Sequence, residues 1–335
     1  MFNKLIRKYH YLKLKAINET SKKEEKERIK IPKSVNDIQN KLNDIFADST
    51  DFVMRKVDFG KEKPIKILIV FLDGLIKKET INDSVVRPIL NSKHSNKDIN
   101  IKETVKLLKE KIITSIDIEA TDDFDKTLDG ILSGETVVYI DGSEKAFRVG
   151  AQEFKGRSIG EPQTEVVIRG PREAFVENAR INLTLIRRKI KNPKLKIEMF
   201  KLGVQTKTDI YICYIKDVVH EDIIKTLKKR LNSINTDSVL DSGYIEEFIE
   251  DAPLSIFPTV ASSEKPDVIS SKILEGRVAV ICDGSPFVMT VPYLFAESFQ
   301  FSEDYYKRWC FGSFARIFTL IGFGIAFLSS RKYRF

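Results

Sequence analysis

Apolar side chains recur along this 335-residue chain with two periods, one typical of helices and one typical of strands. Behind Ser34, a plausible helix cap, the residues at helical spacing are Val35, Ile38, Leu42, Ile45 and Phe46. The next two segments, DFVMRKVDF and IKILIVFLDGL, are typical of strands. The second is almost continuously apolar, so we expect its sheet to be covered on both faces. Pro88 interrupts a weaker helical pattern that follows.

Two stretches of the chain repeat each other. ILSGETVVYIDGS at residues 131–143 and ILEGRVAVICDGS at residues 273–285 share I-L-x-G and D-G-S at equal spacing. Apolar strands at residues 67–76 and 210–219 recur at nearly the same offset. Two matches at nearly one offset are hard to obtain by chance. The sequence therefore predicts an α/β fold of two related tandem lobes with mixed sheets, followed by a C-terminal transmembrane helix.

The predicted organisation has five parts. They are a basic tail at 1–33, a first α/β lobe at 34–150, a connecting segment and helix at 151–193, a second α/β lobe at 194–300, and a membrane-interface segment with one transmembrane helix at 301–335. The connecting helix is predicted to open at Gly170-Pro171 and to end before Asn192-Pro193. Its basic last turn suits either nucleic acid or a solvated face. Because no aromatic platform or reading motif accompanies it, the solvated face is favoured.

Asp-Gly steps occupy the same place in both repeats, between apolar strands. Asp141-Gly142 and Asp283-Gly284 predict tight hairpins. The alternative interpretation makes both aspartates carboxylates for acid–base or metal chemistry. No second acid or histidine keeps a fixed spacing to either one, so the hairpin interpretation is preferred.

Positive charge is concentrated at the N-terminus. The chain has a net charge of +8, and its first 30 residues hold ten lysines and arginines against four glutamates. The apolar residues among them recur at helical spacing, which suits an anionic lipid surface better than nucleic acid. They are Phe2, Leu5, Ile6, Tyr9 and Leu12. A solvated tail is the third interpretation, and it is the one preferred.

Residues that could support catalysis are scattered. There is no glycine-rich phosphate loop and no serine-nucleophile motif. The histidines are too far apart for a metal or nucleophilic site, and the three cysteines lie in separate apolar segments, where reduced buried thiols are expected. We therefore predict a protein that is not an enzyme and has no cofactor or metal. The residues in question are His10, His94, His220, Cys213, Cys282 and Cys310.

The final apolar stretch, residues 311–328, contains one charged residue, Arg316. As a helix it would be roughly 27 Å long, close to the ~30 Å of a bilayer core. A buried helix of a soluble lobe is the alternative. The flanking residues favour a membrane span, because aromatic and basic side chains mark membrane boundaries. They are Tyr305, Tyr306, Lys307, Arg308 and Trp309.

The segment IRGPREAFVENARINLTLIRRKIKNPKL resembles the signature of the A subunit of GerA-type spore germination receptors. DSTDFVMRKV resembles the family's first strand, and DSGYIEEFIED, EKPDVISSKILEGRVAVICDGSPFVMTVP and FSEDYYKRW match later blocks in the family's order. The resemblance runs from about residue 34 to residue 309. The matching signature residues are Arg169, Gly170, Pro171, Arg172, Glu173, Phe175, Asn182, Ile186, Arg187 and Arg188.

This resemblance implies a non-catalytic component of a nutrient germinant receptor in the spore inner membrane, with its N-terminal region cytoplasmic. It implies a permease-like B subunit, a lipoprotein C subunit and the lipid bilayer as partners, with self-association and without nucleic acid. The signature residues are expected to be structural or to contact another lobe or subunit. Family members continue through several transmembrane helices, so we expect a truncated chain. The alternative function is a membrane-tethered module that holds a small molecule between its two lobes.

Overall fold

A computed structural model describes ten stretches of the chain, and the described part of the first lobe contains five strands. The described residues are 29–60, 64–91, 101–108, 118–150, 162, 164–165, 170–252, 255, 257–299 and 309–332. The first-lobe elements are α1 (Val35–Ile45), β1 (Phe52–Phe59), β2 (Ile65–Leu72), α2 (Lys78–Ile81), α3 (Arg87–Asn91), α4 (Ile101–Leu107), β3 (Ile118–Thr121), α5 (Phe124–Leu132), β4 (Glu135–Ile140) and β5 (Ala146–Gly150). A π-helical turn, Asn82–Val86, joins α2 to α3 just before Pro88, which lacks an N–H group.

The described part of the second lobe also contains five strands, and two further described helical elements follow it. Its elements are α6 (Ala179–Lys189), β6 (Leu195–Leu202), β7 (Thr208–Ile215), α7 (Glu221–Ser233), α8 (Ser242–Ile249), β8 (Ala261–Ser263), α9 (Pro266–Leu274), β9 (Val278–Cys282) and β10 (Val288–Val291). A 3₁₀ helix, Phe295–Phe299, and the helix α10, Trp309–Lys332, come last.

The two sheets have the same strand order, β1-β2-β4-β5-β3 and β6-β7-β9-β10-β8. This identity confirms the prediction of two related tandem α/β lobes. Every pair of neighbouring described strands within these sheets is antiparallel, so the prediction of mixed sheets is wrong. The physical reason is that two hairpins in each lobe make their consecutive strands antiparallel. The edge strands β3 and β8 also pair antiparallel, with β5 and β10 respectively.

Helices cover both faces of the first sheet. Leu68 and Val70 of β2 pack with α1 and α5 on one face. Ile67 and Ile69 pack on the other face with α2, α3 and the turn between them. The continuously apolar strand is thus buried on both sides, as its sequence predicts.

The second sheet is covered in the same manner, with α6 and α9 on one face and α7 and α8 on the other. Cys213 and Cys282 are buried on opposite faces of this sheet, as predicted. Burial, together with the negative charges of Asp241 and Asp283, raises the pKa of Cys282 to about 12. Neither thiol is therefore ionised at neutral pH, because burial also raises the pKa of Cys213.

Both Asp-Gly steps lie in hairpin connections, but each connection has five residues, 141–145 and 283–287, and is longer than the tight turn that the sequence predicts. Each connection also binds the first helix of its own lobe. Asp141 Oδ1 accepts a hydrogen bond from the N–H group of Val35 at 3.0 Å, and Asp283 Oδ1 accepts one from Ala179 at 3.0 Å. In both turns the following glycine donates to the carbonyl two residues before the helix, at 2.7 and 2.8 Å. A carboxylate at this place pairs one of the free amides at the positive end of a helix. The two aspartates therefore have equivalent structural roles.

Helix α6 begins later than the sequence predicts. It begins at Ala179, after a cap by Asn178, whose side chain accepts from the N–H groups of the second and third helical residues. The predicted start at Gly170-Pro171 is wrong, because Asn178 is the better cap and residues 170–176 run without helical hydrogen bonds. The predicted end is confirmed at Lys189.

Helix α10 lies beside the second lobe. The ring centroid of Phe323 is 6.0 Å from that of Phe295, which in turn contacts Phe257 at 4.8 Å. Among the described residues, no helix has the length and apolar character needed to cross a membrane. The expected transmembrane helix is therefore not confirmed.

Candidate functional site

The two lobes meet where the turn before β1 runs beside the start of β6. The backbone N–H and side-chain hydroxyl of Thr50 both donate to the carbonyl of Ile197, at 2.9 and 3.1 Å. The N–H of Ile197 donates to the carbonyl of Asp48 at 3.2 Å. Ser49 and Ile197 thus form an isolated parallel bridge between the lobes. Equivalent chain segments of the two repeats make this junction, since each follows the first helix of its lobe.

A buried ion pair anchors the junction. Arg187 of α6 donates from Nε and Nη2 to the two carboxylate oxygens of Asp51, both at 2.9 Å. The arginine side chain is 1% exposed and the aspartate side chain 10%. Nη1 of Arg187 also donates to the carbonyl of Leu195 at 3.1 Å. The forked guanidinium matches the carboxylate geometry, which a lysine could not reproduce.

Two further contacts hold the lobes close together. The ammonium of Lys196 donates to the carbonyl of Ile45, at the end of α1, at 2.8 Å. Burial and the nearby charge of Lys216 lower the pKa of this ammonium. Gly74, after β2, lies so near α6 that a Cβ atom there would clash with Thr184 Oγ1, and its φ of 88° also disfavours other residues.

Beside the junction lies a cleft of about 410 Å³ whose walls come from both lobes. Charged groups of both signs line it, with Asp73 held by Lys78 at 2.8 Å and Arg180 at 3.9 Å from the same carboxylate. The lining residues are Thr50, Asp51, Asp73, Gly74, Ile76, Lys78, Glu79, Asn178, Arg180, Ile181, Leu183, Thr184, Leu185, Arg188, Met199 and Tyr211. Its volume falls within the range of small-molecule sites.

The signature residues lie around α6. Asn182 is fully buried and forms two hydrogen bonds with the backbone of Val176, at 2.8 and 2.6 Å, which fix the approach to the helix. Phe175 lies in the core of the second lobe, and Arg188 binds Glu173 at 3.2 Å. The remaining described signature residues are Gly170 and Arg172, both exposed, Pro171, partly exposed, and Ile186, buried in the same core. Arg169 lies outside the described residues.

Most of the predicted membrane-boundary residues lie outside the part of the chain that the structure describes. Tyr305, Tyr306, Lys307 and Arg308 lie outside the described residues, and Trp309 is the first residue of α10. Arg316 lies in the first half of α10 and is partly buried.

A second charged cluster joins the 3₁₀ helix to the second lobe. Glu297 accepts from the ammonium of Lys272 at 2.6 Å and from the guanidinium of Arg277 at 2.5 Å, and all three side chains are largely buried. Burial tends to raise the pKa of Glu297, but the hydrogen bonds and positive charges of its two partners outweigh burial and lower it. This cluster fixes the segment that leads to α10.

Sequence reasoning missed the acidic partners at these contacts, Asp51, Asp73 and Glu297. Asp51 belongs to the DSTD turn, which matches the family's first strand block, and that match was the one available signal. No group of three or more His, Cys, Asp or Glu side chains among the described residues could hold a metal ion. The junction and the cleft are therefore the best candidates for function.

Comparison with known proteins identifies related chains. The family described as Bacillus/Clostridium GerA spore germination protein matches residues 40–333. Spore germination protein KA of Bacillus subtilis (strain 168) is 36% identical over 287 residues, which are 86% of this chain and 52% of that protein. The Uncharacterized membrane protein YfkQ of the same strain is 39% identical over 267 residues, or 80% of this chain and 51% of that protein. The chain thus spans about half the length of these curated relatives.

One solved structure is similar in fold and in sequence. It is the crystal structure of the N-terminal domain of the A subunit of the Bacillus megaterium spore germinant receptor GerK3. The TM-score is 0.65 at 30% sequence identity, and the match covers 81% of this chain and 99% of that one. The similarity is therefore to a whole domain.

Replacing Asp51 by alanine should destabilise the protein strongly. Arg187 would keep a buried charge without its carboxylate, and breaking a buried pair in this way costs about 3–5 kcal/mol. The free energy of unfolding of the full chain in urea measures the loss. The control is Lys194→Ala, which removes an exposed pair with Asp217 beside the junction and should cost less than about 1 kcal/mol. Equal losses in the two variants would contradict the assigned role of the pair.

The Glu297 cluster should make stability depend on pH. The pKa of Glu297 is lowered in the folded state. The stability that its ion pairs contribute is therefore fully present above the ordinary glutamate pKa of about 4.3, and it is lost as the pH falls through the folded-state pKa. At pH 7 the free energy of unfolding of Glu297→Gln should therefore be lower than that of the parent protein by about 3 kcal/mol. The measurement is unfolding in urea. The difference should shrink in acid. The control is Glu275→Gln, which changes an exposed carboxylate 4.0 Å from the ammonium of Lys272. If the difference in free energy of unfolding between Glu297→Gln and the parent stayed constant with pH, the assigned role of Glu297 would be contradicted.

Proposed function

Because the chain belongs to the GerA family of Bacillus/Clostridium spore germination proteins, we propose that it is a non-catalytic component of a nutrient germinant receptor. In this proposal it contributes to spore germination through its two-lobed module. The observation that carries the proposal is the likeness, at 30% identity, to the N-terminal domain of a germinant-receptor A subunit over 99% of that domain. A likeness of this extent supports a shared role more strongly than fold alone.

The contacts of the module suit a part that transmits force. Arg187 and Asp51 join the lobes through a buried bidentate pair. Glu297 joins the second lobe to the segment that leads into α10. Packed interfaces of this kind move as rigid bodies, so a change at one lobe is passed on as a rotation. The signature residues on α6 serve this assembly as structural or contact residues in our proposal.

We further propose that α10 attaches the protein to the spore inner membrane, with both lobes on the cytoplasmic side. Two features support this proposal. One relative carries the name of a membrane protein. Large apolar side chains of α10 are also exposed, and they are Phe314, Ile317, Phe318, Leu320, Ile321, Phe323 and Ile325. Exposed apolar surface of this extent favours contact with lipid or with other helices.

The partners in this proposal are a permease-like B subunit, a lipoprotein C subunit, the bilayer and further copies of the chain. They follow from the family resemblance. The curated relatives extend well beyond the region that this chain matches, so the complete receptor's activity rests on the same proposal.

Spores that lack the gene should respond more slowly to at least one nutrient, measured as the fall in optical density of a spore suspension. A wild-type copy should restore the response. A Phe318→Glu/Ile321→Glu copy should be lost from the membrane fraction and should fail to restore it, because two charges on the exposed side of α10 oppose contact with lipid. Val204→Glu, on the exposed surface of the second lobe, is the matched control.

Normal germination of the deletion strain in every nutrient tested would contradict the receptor role. Retention of the double variant in the membrane fraction would contradict only the attachment through α10.

A second candidate function is favoured by the cleft between the lobes. Its volume and its mixture of apolar and charged walls suit a small molecule, which the two lobes would hold between them. Arg180 and Asp73 offer opposite charges on facing lobes. Binding there would make the module a nutrient sensor in addition to an assembly part.

Calorimetric titration of the full chain with single amino acids and sugars tests this candidate. We expect heat at micromolar affinity for one of them, and a loss of about tenfold in Arg180→Ala, which removes one charged contact. Arg55→Ala, at an exposed position on β1, should leave the affinity unchanged. Absence of heat for all ligands, or equal affinities in the two variants, would contradict binding in the cleft.

A further inference from the structure

Helix α8 presents large apolar side chains to solvent. Ser242, Ile245 and Ile249 form its buried side. Tyr244 and Phe248 are four residues apart and share the opposite side of the helix, and Leu240 stands two residues before the helix begins. Their exposed fractions are 47%, 48% and 63%. Single exposed apolar residues are ordinary on a protein surface, but a group of three with two aromatic rings indicates a contact surface.

Helix α8 and the residues that flank it are strongly acidic. Residues 237–251 contain six acidic residues and no lysine or arginine, and the acids are Asp237, Asp241, Glu246, Glu247, Glu250 and Asp251. Glu247 and Asp251 stand three and seven positions after Tyr244, which places them beside the exposed ring. Burial and the charge of Glu250 raise the pKa of Glu246, a sign of crowded negative charge. Arg230, from α7, pairs with Asp251 at 2.6 Å.

These properties define the chemistry of the partner. An anionic membrane surface would be repelled by the acidic residues, so lipid does not fit this side of α8. The exposed rings and Leu240 require apolar side chains opposite them. A complementary surface therefore carries apolar residues flanked by lysines and arginines, as in an amphipathic basic helix laid along a groove.

The chain itself contains a segment of this chemistry. Residues 1–15 hold five lysines and arginines and no acidic residue. Between the basic residues, Phe2, Leu5, Ile6, Tyr9 and Leu12 recur at helical spacing. A helix over residues 2–12 would be about 16 Å long, and helix α8, Ser242–Ile249, is about 12 Å long and extended at both ends by flanking residues. The two surfaces both carry apolar side chains, and their charges are opposite.

The intervening chain is long enough for this contact. Residues 16–28 hold four basic and four acidic residues, so the tether is neutral. Thirteen extended residues reach about 45 Å, which exceeds the roughly 35 Å diameter of a lobe. The tether starts from a fixed point, because the N–H of Phe124 donates to the carbonyl of Ile29 on the first lobe at 2.8 Å.

We propose that residues 1–15 bind the acidic apolar side of α8 in the same molecule. The segment then joins the N-terminus of the first lobe to the outer helix layer of the second lobe. This contact is independent of the proposed function, since it rests on the two surfaces alone. It also gives the basic tail a protein partner in place of lipid or nucleic acid.

Photo-crosslinking of the full chain tests the contact. A benzophenone amino acid is placed at Phe248 and, as a control, at Val204, which is 58% exposed elsewhere on the second lobe. After irradiation, mass spectrometry of the digested protein should find residues 1–15 joined to position 248 and not to position 204. The yield should not change on dilution, because the contact is intramolecular. Cross-links to lipid or to other proteins alone, or equal yields at both positions, would overturn the proposal.

Charge reversal tests the recognition. Glu247→Lys/Glu250→Lys should lower the cross-link yield at position 248 about tenfold, since two attractions become repulsions. Adding Lys4→Glu/Arg7→Glu to that variant should restore the yield. Reversal of two exposed acids of the first lobe, Asp58→Lys/Glu144→Lys, should leave it unchanged. The proposal would be contradicted if the charge reversal left the cross-link yield unchanged. It would also be contradicted if adding Lys4→Glu/Arg7→Glu failed to restore the yield.

Discussion

The buried pair of Arg187 and Asp51 fixes how the two lobes stand against each other. Neither charge reaches water freely, so each depends on the other and on the carbonyl groups around the guanidinium. The backbone bridge at Ser49 and the close approach of Gly74 to α6 require the same placement of the lobes. The cleft has two walls for the same reason. Its shape is therefore a property of the junction and not of either lobe alone.

The junction is also where the repeats have diverged. Helices α1 and α6 are equivalent, because an Asp-Gly turn binds the first residue of each. Counted from those first residues, Arg187 of α6 corresponds to Asn43 of α1, which is exposed. The first lobe thus has the same fold without an arginine at the position equivalent to Arg187. Duplication supplied two similar lobes, and a side chain on one of them supplied the contact between them.

Local patterns in the sequence were enough to predict the strands, the hairpins and the repeat. The apolar run of β2 and the two Asp-Gly steps report on neighbours within a few residues, where spacing alone decides the structure. The pairing of Arg187 with Asp51 spans 136 residues and leaves no periodic trace. The start of α6 was predicted wrongly for a related reason. Asn182 binds the backbone of Val176, and this contact favours the cap at Asn178 over an earlier start.

Both lobes complete their own cores on both faces of a sheet, and the described contacts between them come from the segment that runs from α6 to the start of β6. Each can therefore turn as a unit without losing its fold. A lobe about 35 Å across that rotates by about 5° at the junction moves its far side by about 3 Å. Glu297 ties the second lobe to the segment before α10. The duplicated architecture thus has the proportions of a lever, in which a small rotation at the fulcrum produces a larger displacement at the end of the arm.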